Sequence, residues 1–412
     1  MAASMWTKLF DRMVGSFLHR GTLIIQLVDG TVLRYGDGQP PEVRVAFHDE
    51  DLPRRLLFSP EIVMGEGYMD GTITVENDDL HGLLQVLLGN FPEGAGTWPG
   101  LLRMFRKIAT PILQFNPTGK ARRNVAHHYD LSGEMYELFL DTDKQYSCAY
   151  FRTPEVTLEE AQAAKKAHIA GKLLLEPGMK VLDIGCGWGG MALTLARDYG
   201  VQVLGVTLST EQHKVATERA AAAGLSDRVE FRLTDYRNVR ETFDRIVSVG
   251  MFEHVGAPHY REYFRHMKKL LNPDGVALIH TIGRFSPPGS TSPWITKYIF
   301  PGGYCPALSE TMAAVEREGL VETDVEIWRL HYAETLRHWQ MRFEANIDKV
   351  RALYDDRFCR MWRFYLVASE MSFRYGGQCV FQIQLARRQE AVPLTRDYLY
   401  VPEARAALRA AE

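Results

Sequence analysis

The sequence predicts an α/β protein built on a doubly wound, mostly parallel seven-stranded sheet, preceded by a small α+β domain. Three observations carry this expectation. From about residue 160 onward, apolar runs alternate with helical segments, as a doubly wound sheet requires. One of those runs, Val181-Leu-Asp-Ile184, ends in the glycine turn Gly185-Cys-Gly-Trp-Gly189 and leads into the periodic segment Met191–Arg197. Strand, glycine turn and helix in that order form a nucleotide-type pocket at the carboxyl edge of a sheet. Residues 1–90 carry their own strand and helix signals, and a glycine- and proline-rich stretch at 89–100 sets them apart as a linker would.

The first domain reads as follows. Thr22–Val28 and Thr31–Tyr35 flank Asp29-Gly30, the signal of a two-residue hairpin. Arg44–Phe47 is a further strand candidate. A helix is expected from Ser59-Pro60, with serine as cap and proline in the first turn. Asp79–Leu88 reads as a second helix. Past the linker, residues 94–129 contain no acidic residue but carry Arg103, Arg106, Lys107, Lys120, Arg122 and Arg123, interleaved with large apolar side chains. Such a segment suits an anionic membrane interface; it equally suits an interdomain helix with a solvated basic face. The domains expected are therefore 1–90, a connecting segment 91–123 and a catalytic domain 124–412. Within the last, strands are expected at 180–184, 201–206, 228–233, 244–249 and 275–283, with Asp324–Trp328 and Cys379–Leu385 closing the sheet. The proline- and glycine-rich stretch 285–320 interrupts the alternation, and an insertion there would cover the strand ends where ligands bind.

Composition narrows the partners. At 412 residues, with 46% hydrophobic and 24% charged residues, the chain is an ordinary globular protein with room for two domains. A net charge of −3 argues against a nucleic-acid partner. Five widely spaced cysteines without a C-x-x-C pair fit a reducing compartment and no structural zinc. No run reaches about 18 apolar residues and the N-terminus has no signal-peptide layout, so a cytoplasmic location is expected.

The chemistry begins at the turn. Gly185, Gly187 and Gly189 let the backbone approach a ligand with no Cβ in the way. Asp183 stands directly before them, and no phosphate-loop lysine follows. This pattern resembles motif I of the S-adenosylmethionine (SAM) methyltransferases and implies their Rossmann-like fold. The second strand should end beside the ribose, where most SAM enzymes carry an acidic residue. Here Thr207-Leu208-Ser209 stands instead, with Gln212 one turn on, so a hydroxyl and an amide would serve uncharged. After the third strand, Asp235 and Tyr236 are candidates for the adenine; the plainer alternative for Asp235 is a turn or cap residue.

Further segments extend the resemblance: Asn124–Asp130, Tyr146-Ser-Cys-Ala-Tyr-Phe151, Ser248–Gly256, His280-Thr-Ile-Gly283 and Pro293–Gly303. Together they resemble the cyclopropane-fatty-acyl-phospholipid synthases and their mycolic-acid relatives, from about residue 120 to 390. The resemblance implies methylene transfer from SAM to a cis double bond of an acyl chain. In that family a bound bicarbonate ion takes a proton from the new methyl group as the ring closes. Its pocket maps onto Cys148, Glu253, His280, Ile282 and Tyr332, while Tyr146 and Ser147 would close over the amino-acid part of SAM. Phe285, Trp294, Ile295, Tyr298, Ile299 and Phe300 would line the acyl channel. The implied partners are unsaturated phospholipid acyl chains, an anionic membrane surface met peripherally and a second copy of the chain; no metal is implied.

Read singly, each pocket residue has a plainer explanation. Cys148 suits a buried small hydrophobe, Glu253 a helix-start carboxylate, His280 a hydrogen-bonded core residue and Tyr332 simple packing. Other functions also remain open. Loss of the proton from a chain carbon would give a methyl-branched alkene of the same mass as the ring product. A small-molecule N-methyltransferase and a non-catalytic lipid-binding protein are the more distant alternatives.

Overall fold

The computed structural model describes residues 4–90 and 133–400. The connecting segment 91–123, and with it the basic stretch and Asn124–Asp130, lies outside the described residues.

The first domain is a four-stranded sheet in the order β2-β1-β3-β4, made of β1 (Thr22–Gln26), β2 (Val32–Gly36), β3 (Glu42–Phe47) and β4 (Ile73–Val75). Helices Pro60–Asp70 and Leu80–Gly89 stand where expected, the second capped by the Asp79 carboxylate on the Gly82 N–H at 2.9 Å. Helices Met5–Phe17 and Leu52–Phe58 and strand β4 were not anticipated. The hairpin also differs. Leu27 N–H bonds Thr31 O at 2.9 Å, so three residues form the loop and Gly30 takes a left-handed φ of 83°. The Asp29 side chain holds the Thr31 N–H at 3.0 Å, which favours this longer turn over the tight two-residue one.

The second sheet has the order β10-β11-β9-β8-β5-β6-β7. Its strands are β5 (Lys180–Ile184), β6 (Gln202–Thr207), β7 (Val229–Leu233), β8 (Phe243–Val249), β9 (Leu271–Arg284), β10 (Val321–Trp328) and β11 (Gln378–Ala386). β7, β6, β5, β8 and β9 pair in parallel; β11 and β10 add antiparallel. The chain runs outward from β5 through β6 to β7, then returns to β8 on the other side. That reversal puts the topological switch point, and hence the ligand crevice, at the carboxyl end of β5. Val181, Leu182 and Ile184 are buried, as a strand covered on both faces demands.

One apolar core runs through both domains, from Phe10 and Leu52 to Trp294, Trp339 and Trp362. Helix Asp356–Tyr375 packs against both Pro60–Asp70 and Leu80–Gly89. Glu66 accepts hydrogen bonds from Lys297 Nζ at 2.5 Å and Tyr298 Oη at 2.8 Å. The 285–320 insertion is thus tied to the first domain through helix Pro293–Tyr298.

Candidate active site

The glycine turn is shaped by backbone geometry. Gly185, Gly187 and Gly189 all have left-handed φ, at 82°, 54° and 84°. The N–H groups of Gly185 and Cys186 both donate to Val206 O, at 2.9 and 3.1 Å, which binds the turn to β6. A Cβ on Gly185 would fall 2.9 Å from Met251, and one on Gly189 2.7 Å from the Phe231 ring. At Gly187 no neighbour comes within 4 Å of that position, so the backbone there is open to a ligand.

A cavity opens at this turn. Asp183, Gly185 and Gly187 form its floor, Tyr146 and Ser147 one wall, and Thr207, Leu208, Gln212, Asp235 and Tyr236 the other. Gly189 plays a different part, as the N-cap of helix Gly190–Tyr199 beside the cavity. Asp183 is buried, and its Oδ2 has no hydrogen-bond partner among the described residues. Burial pushes this carboxyl up to about 7. Thr207 Oγ1 donates to Gln212 Oε1 at 2.9 Å, while Ser209 caps helix Thr210–Ala222 on the Gln212 N–H at 3.2 Å. The uncharged Thr207–Gln212 side of the cavity is therefore pre-ordered. Asp235 both lines the cavity and acts as a turn cap. It accepts from Arg237 N at 3.0 Å, Nε at 2.9 Å and Nη2 at 2.7 Å. Burial alone would raise its carboxyl; the Arg237 bonds outweigh this and hold it below the usual range.

The other five candidates are not walls of that cavity; two of them, Cys148 and Glu253, adjoin it through chain neighbours. Cys148 follows Ser147, and Glu253 sits between Met251 and His254, both cavity residues. Glu253 lies in the short 3-10 turn Phe252–His254 after β8, with Oε1 accepting from Ile282 N at 2.7 Å and Oε2 buried without a hydrogen-bond partner among the described residues. Burial pushes its carboxyl up to about 7 against the opposing bond from Ile282. His280 and Ile282 project from the same face of β9, two residues apart. Gln382, opposite His280 in β11, places its Nε2 3.1 Å from His280 Nδ1. With the amide in this orientation Nδ1 accepts, which goes with the tautomer that carries the ring's proton on Nε2. Burial holds this imidazole well below its ordinary pKa, hence neutral.

Cys148 is fully buried, and burial raises its thiol well above the usual range. The adjacent Ala149 N–H donates to Thr335 Oγ1 at 3.0 Å, one turn along helix His331–Ala345 from Tyr332. The Tyr332 ring is buried between Trp339 and Phe373, at 5.8 and 4.9 Å between centroids. Among the expected channel residues the outcome is mixed. Trp294 is buried against Phe364 and Gly65 in the domain contact, and Phe285 is exposed. Phe300 approaches the site, with its ring 6.0 Å from His254.

Sequence reasoning missed several residues. Lys165 Nζ, wholly buried, donates to Gln145 Oε1 at 2.7 Å and Ser147 Oγ at 2.8 Å. His254 lines the cavity, and burial pulls its imidazole down to about 4. The available signal for the lysine was the polar spacing Gln162-x-x-Lys165 inside a helix opened by the capping box Thr157–Glu160.

A glycine turn at the switch point with an acidic residue directly before it marks the SAM-dependent methyltransferase class of α/β proteins, and the uncharged Thr207–Gln212 pair departs from the pattern of most of them. Comparison with known proteins narrows this. Residues 117–383 match the family described as mycolic acid cyclopropane synthetase, and residues 7–90 match a domain of unknown function. A probable fatty acid methyltransferase of Pseudomonas putida is 40% identical over 391 residues, 92% of this chain and 96% of that one. The cyclopropane-fatty-acyl-phospholipid synthase of Escherichia coli strain K12 is 39% identical over 353 residues, 85% of this chain and 89% of that one. A crystal structure of a mycolic acid cyclopropane synthase complexed with SAH and CTAB aligns with a TM-score of 0.62 and 35% identity, covering 66% of this chain and 99% of that one. The chain belongs to the mycolic acid cyclopropane synthetase family.

Proposed function

We propose that the chain transfers a methylene group from SAM to the cis double bond of an unsaturated phospholipid acyl chain, the activity of a cyclopropane-fatty-acyl-phospholipid synthase. The observation that carries this reading is Glu253, held by one oxygen on Ile282 at the end of the strand that bears neutral His280, with its second oxygen buried and without a hydrogen-bond partner among the described residues.

The residues fit both small molecules the reaction needs. The unpaired Asp183 Oδ2 and the left-handed glycines suit the cationic amino acid of SAM; Thr207 and Gln212 suit its ribose. Glu253 Oε2 can accept from the O–H of bicarbonate, and His280 Nε2–H can donate to its charged oxygen. Bound SAM supplies an electrophilic methyl and bicarbonate a base, so the acyl chain gains CH₂ and one proton leaves. Cys148 and Tyr332 contribute buried, largely apolar walls, which exclude the water that would otherwise capture a cation on the acyl chain. An alkene is a weak nucleophile, so alignment by these walls supplies much of the rate.

The similarity to a fatty acid methyltransferase supports a second reading, in which the proton leaves an adjacent chain carbon and a methyl branch results. The domain division 1–90, 91–123 and 124–412, a peripheral cytoplasmic site on the anionic inner membrane face and a homodimer belong to the same proposal. Among the described residues no helix is long and apolar enough to cross a membrane. The test is expression in a host without cyclopropane lipids, followed by NMR of the fatty-acid methyl esters. Upfield cyclopropane protons are expected. A product of equal mass that takes up hydrogen as an alkene would replace ring closure by branching.

A further inference from the structure

We propose that Lys165 is the positioning residue of this site: its ammonium group fixes the segment Tyr146-Ser147-Cys148 between the SAM cavity and the Glu253–His280 side. The inference rests on the proposed methyl-transfer reading.

Helix Leu158–Lys172 presents Gln162, Lys165 and Lys166 on one face, at the three- and four-residue spacing of neighbouring turns. All three reach the segment 143–147. Gln162 Nε2 donates to Gln145 O at 3.3 Å and Ser147 O at 2.9 Å, bracketing Tyr146. Lys165 Nζ takes the Gln145 and Ser147 side chains, and Lys166 pairs with Asp143, which Arg219 also contacts. The segment lies against the helix that follows the glycine turn. A Cβ on Gly190 would fall 2.3 Å from Gln145 Nε2 and 2.5 Å from Asp143 Oδ2.

The register of this segment matters because it serves two ligands. Tyr146 and Ser147 wall the cavity, whereas Cys148 is buried on the side of Thr335 and helix His331–Ala345. A slip of one residue along this segment would carry Ser147 away from the cavity or bring Cys148 onto it. Packing alone would not call for a charge here. Burying an ammonium costs several kcal/mol, about what one buried ion loses on leaving water, and the two groups that Lys165 contacts are neutral. Burial accordingly pulls its pKa down to about 8. Its charge acts on Asp141, Asp143, Cys148 and Asp183, and on His280. Its positive charge thus acts on both the Asp183 carboxylate of the cavity and His280 of the proposed anion pocket.

The test uses the full chain, with SAM affinity read by calorimetry and turnover on vesicles of unsaturated phospholipid. Lys165→Met keeps the length and removes charge and donors. The dissociation constant for SAM should rise at least tenfold, and Ser147→Ala should raise it severalfold. Because Lys165 acts through Ser147, the double variant should stay within twofold of Lys165→Met. SAM affinity within twofold of wild type in folded Lys165→Met, or a double variant showing the product of the two single effects, would overturn the inference. Should Lys165→Met not fold, Gln145→Leu removes one acceptor and keeps the ammonium; SAM affinity unchanged in that variant would also overturn it. A wild-type chain that binds no SAM would overturn the proposed function itself. Wild-type turnover with an unaltered lysine variant would overturn only the role of Lys165.

Discussion

The Ile282 N–H donates to Glu253 Oε1 at 2.7 Å, joining a turn after β8 to the end of β9. The two strands are parallel neighbours, with Val249 opposite His280, so the contact follows directly from the sheet register. It orients the carboxylate, with one oxygen spent and the other buried without a hydrogen-bond partner among the described residues. A surface glutamate would be solvated and mobile; this one is rigid and needs a partner.

Glu253→Gln should keep SAM affinity and lose most turnover, about 10²–10⁴-fold, the range typical of a positioned proton-handling group. Because burial lifts its carboxyl to about 7, wild-type turnover should rise with pH through that value as the acceptor form appears. Calorimetry and a pH–rate profile check both points. A glutamine variant with undiminished rate would remove Glu253 from the site.

Asp183 gives a second pH dependence. Its folded carboxyl stands at about 7, far above the ordinary aspartate value of about 3.9. Between those values the folded chain binds the proton more tightly than the unfolded chain, so this group's contribution to stability is lost as pH rises through the window. Asp183→Asn should therefore show a shallower fall of Tm than wild type from about pH 4 to 7, the window set by those two values. SAM binding, by bringing a cation to the carboxylate, should release a proton. Equal binding heats in buffers of different ionisation enthalpy would contradict that.

His280→Ala removes the proposed donor to bicarbonate and leaves the SAM cavity walls in place. In carbon-dioxide-depleted buffer, the bicarbonate concentration giving half-maximal rate should rise about tenfold, the loss expected for one hydrogen bond to a charged group. SAM affinity should not change. An unaltered bicarbonate response would place the anion away from His280.

Gly65→Ala addresses the domain contact. Its Cβ would lie 2.3 Å from Trp294 Nε1, and Trp294 is a buried, rigid ring with little room to move. Overpacking of this kind costs about 1–3 kcal/mol and should lower Tm by several degrees. A Tm equal to wild type would mean that Trp294 does not occupy the Gly65 notch.

Much of the site was legible because its signals are local. Strand β5 appears at its expected bounds, and the glycines at 185, 187 and 189 mark three left-handed positions that other residues rarely adopt. The Thr207–Gln212 pair was readable from a strand tip and one helical turn. The first helix and β4 escaped notice, one lying at the chain start and the other only three residues long. Trp294 misled, since an aromatic in an insertion suits an acyl channel and a domain contact equally well.

By itself the sequence determined the α/β alternation, the glycine turn, the acidic residue before it and the uncharged Thr207–Gln212 pair. These depend on periodicity and backbone preference within a few residues. Tertiary structure alone decided that Lys165 is buried against Ser147, that Asp235 is committed to Arg237, and that Trp294 fills a notch in the first domain. The physical reason is that desolvation and packing belong to the assembled core. A lysine reads as a solvated charge until the chain folds around it, and no local pattern states which side chains will then surround it.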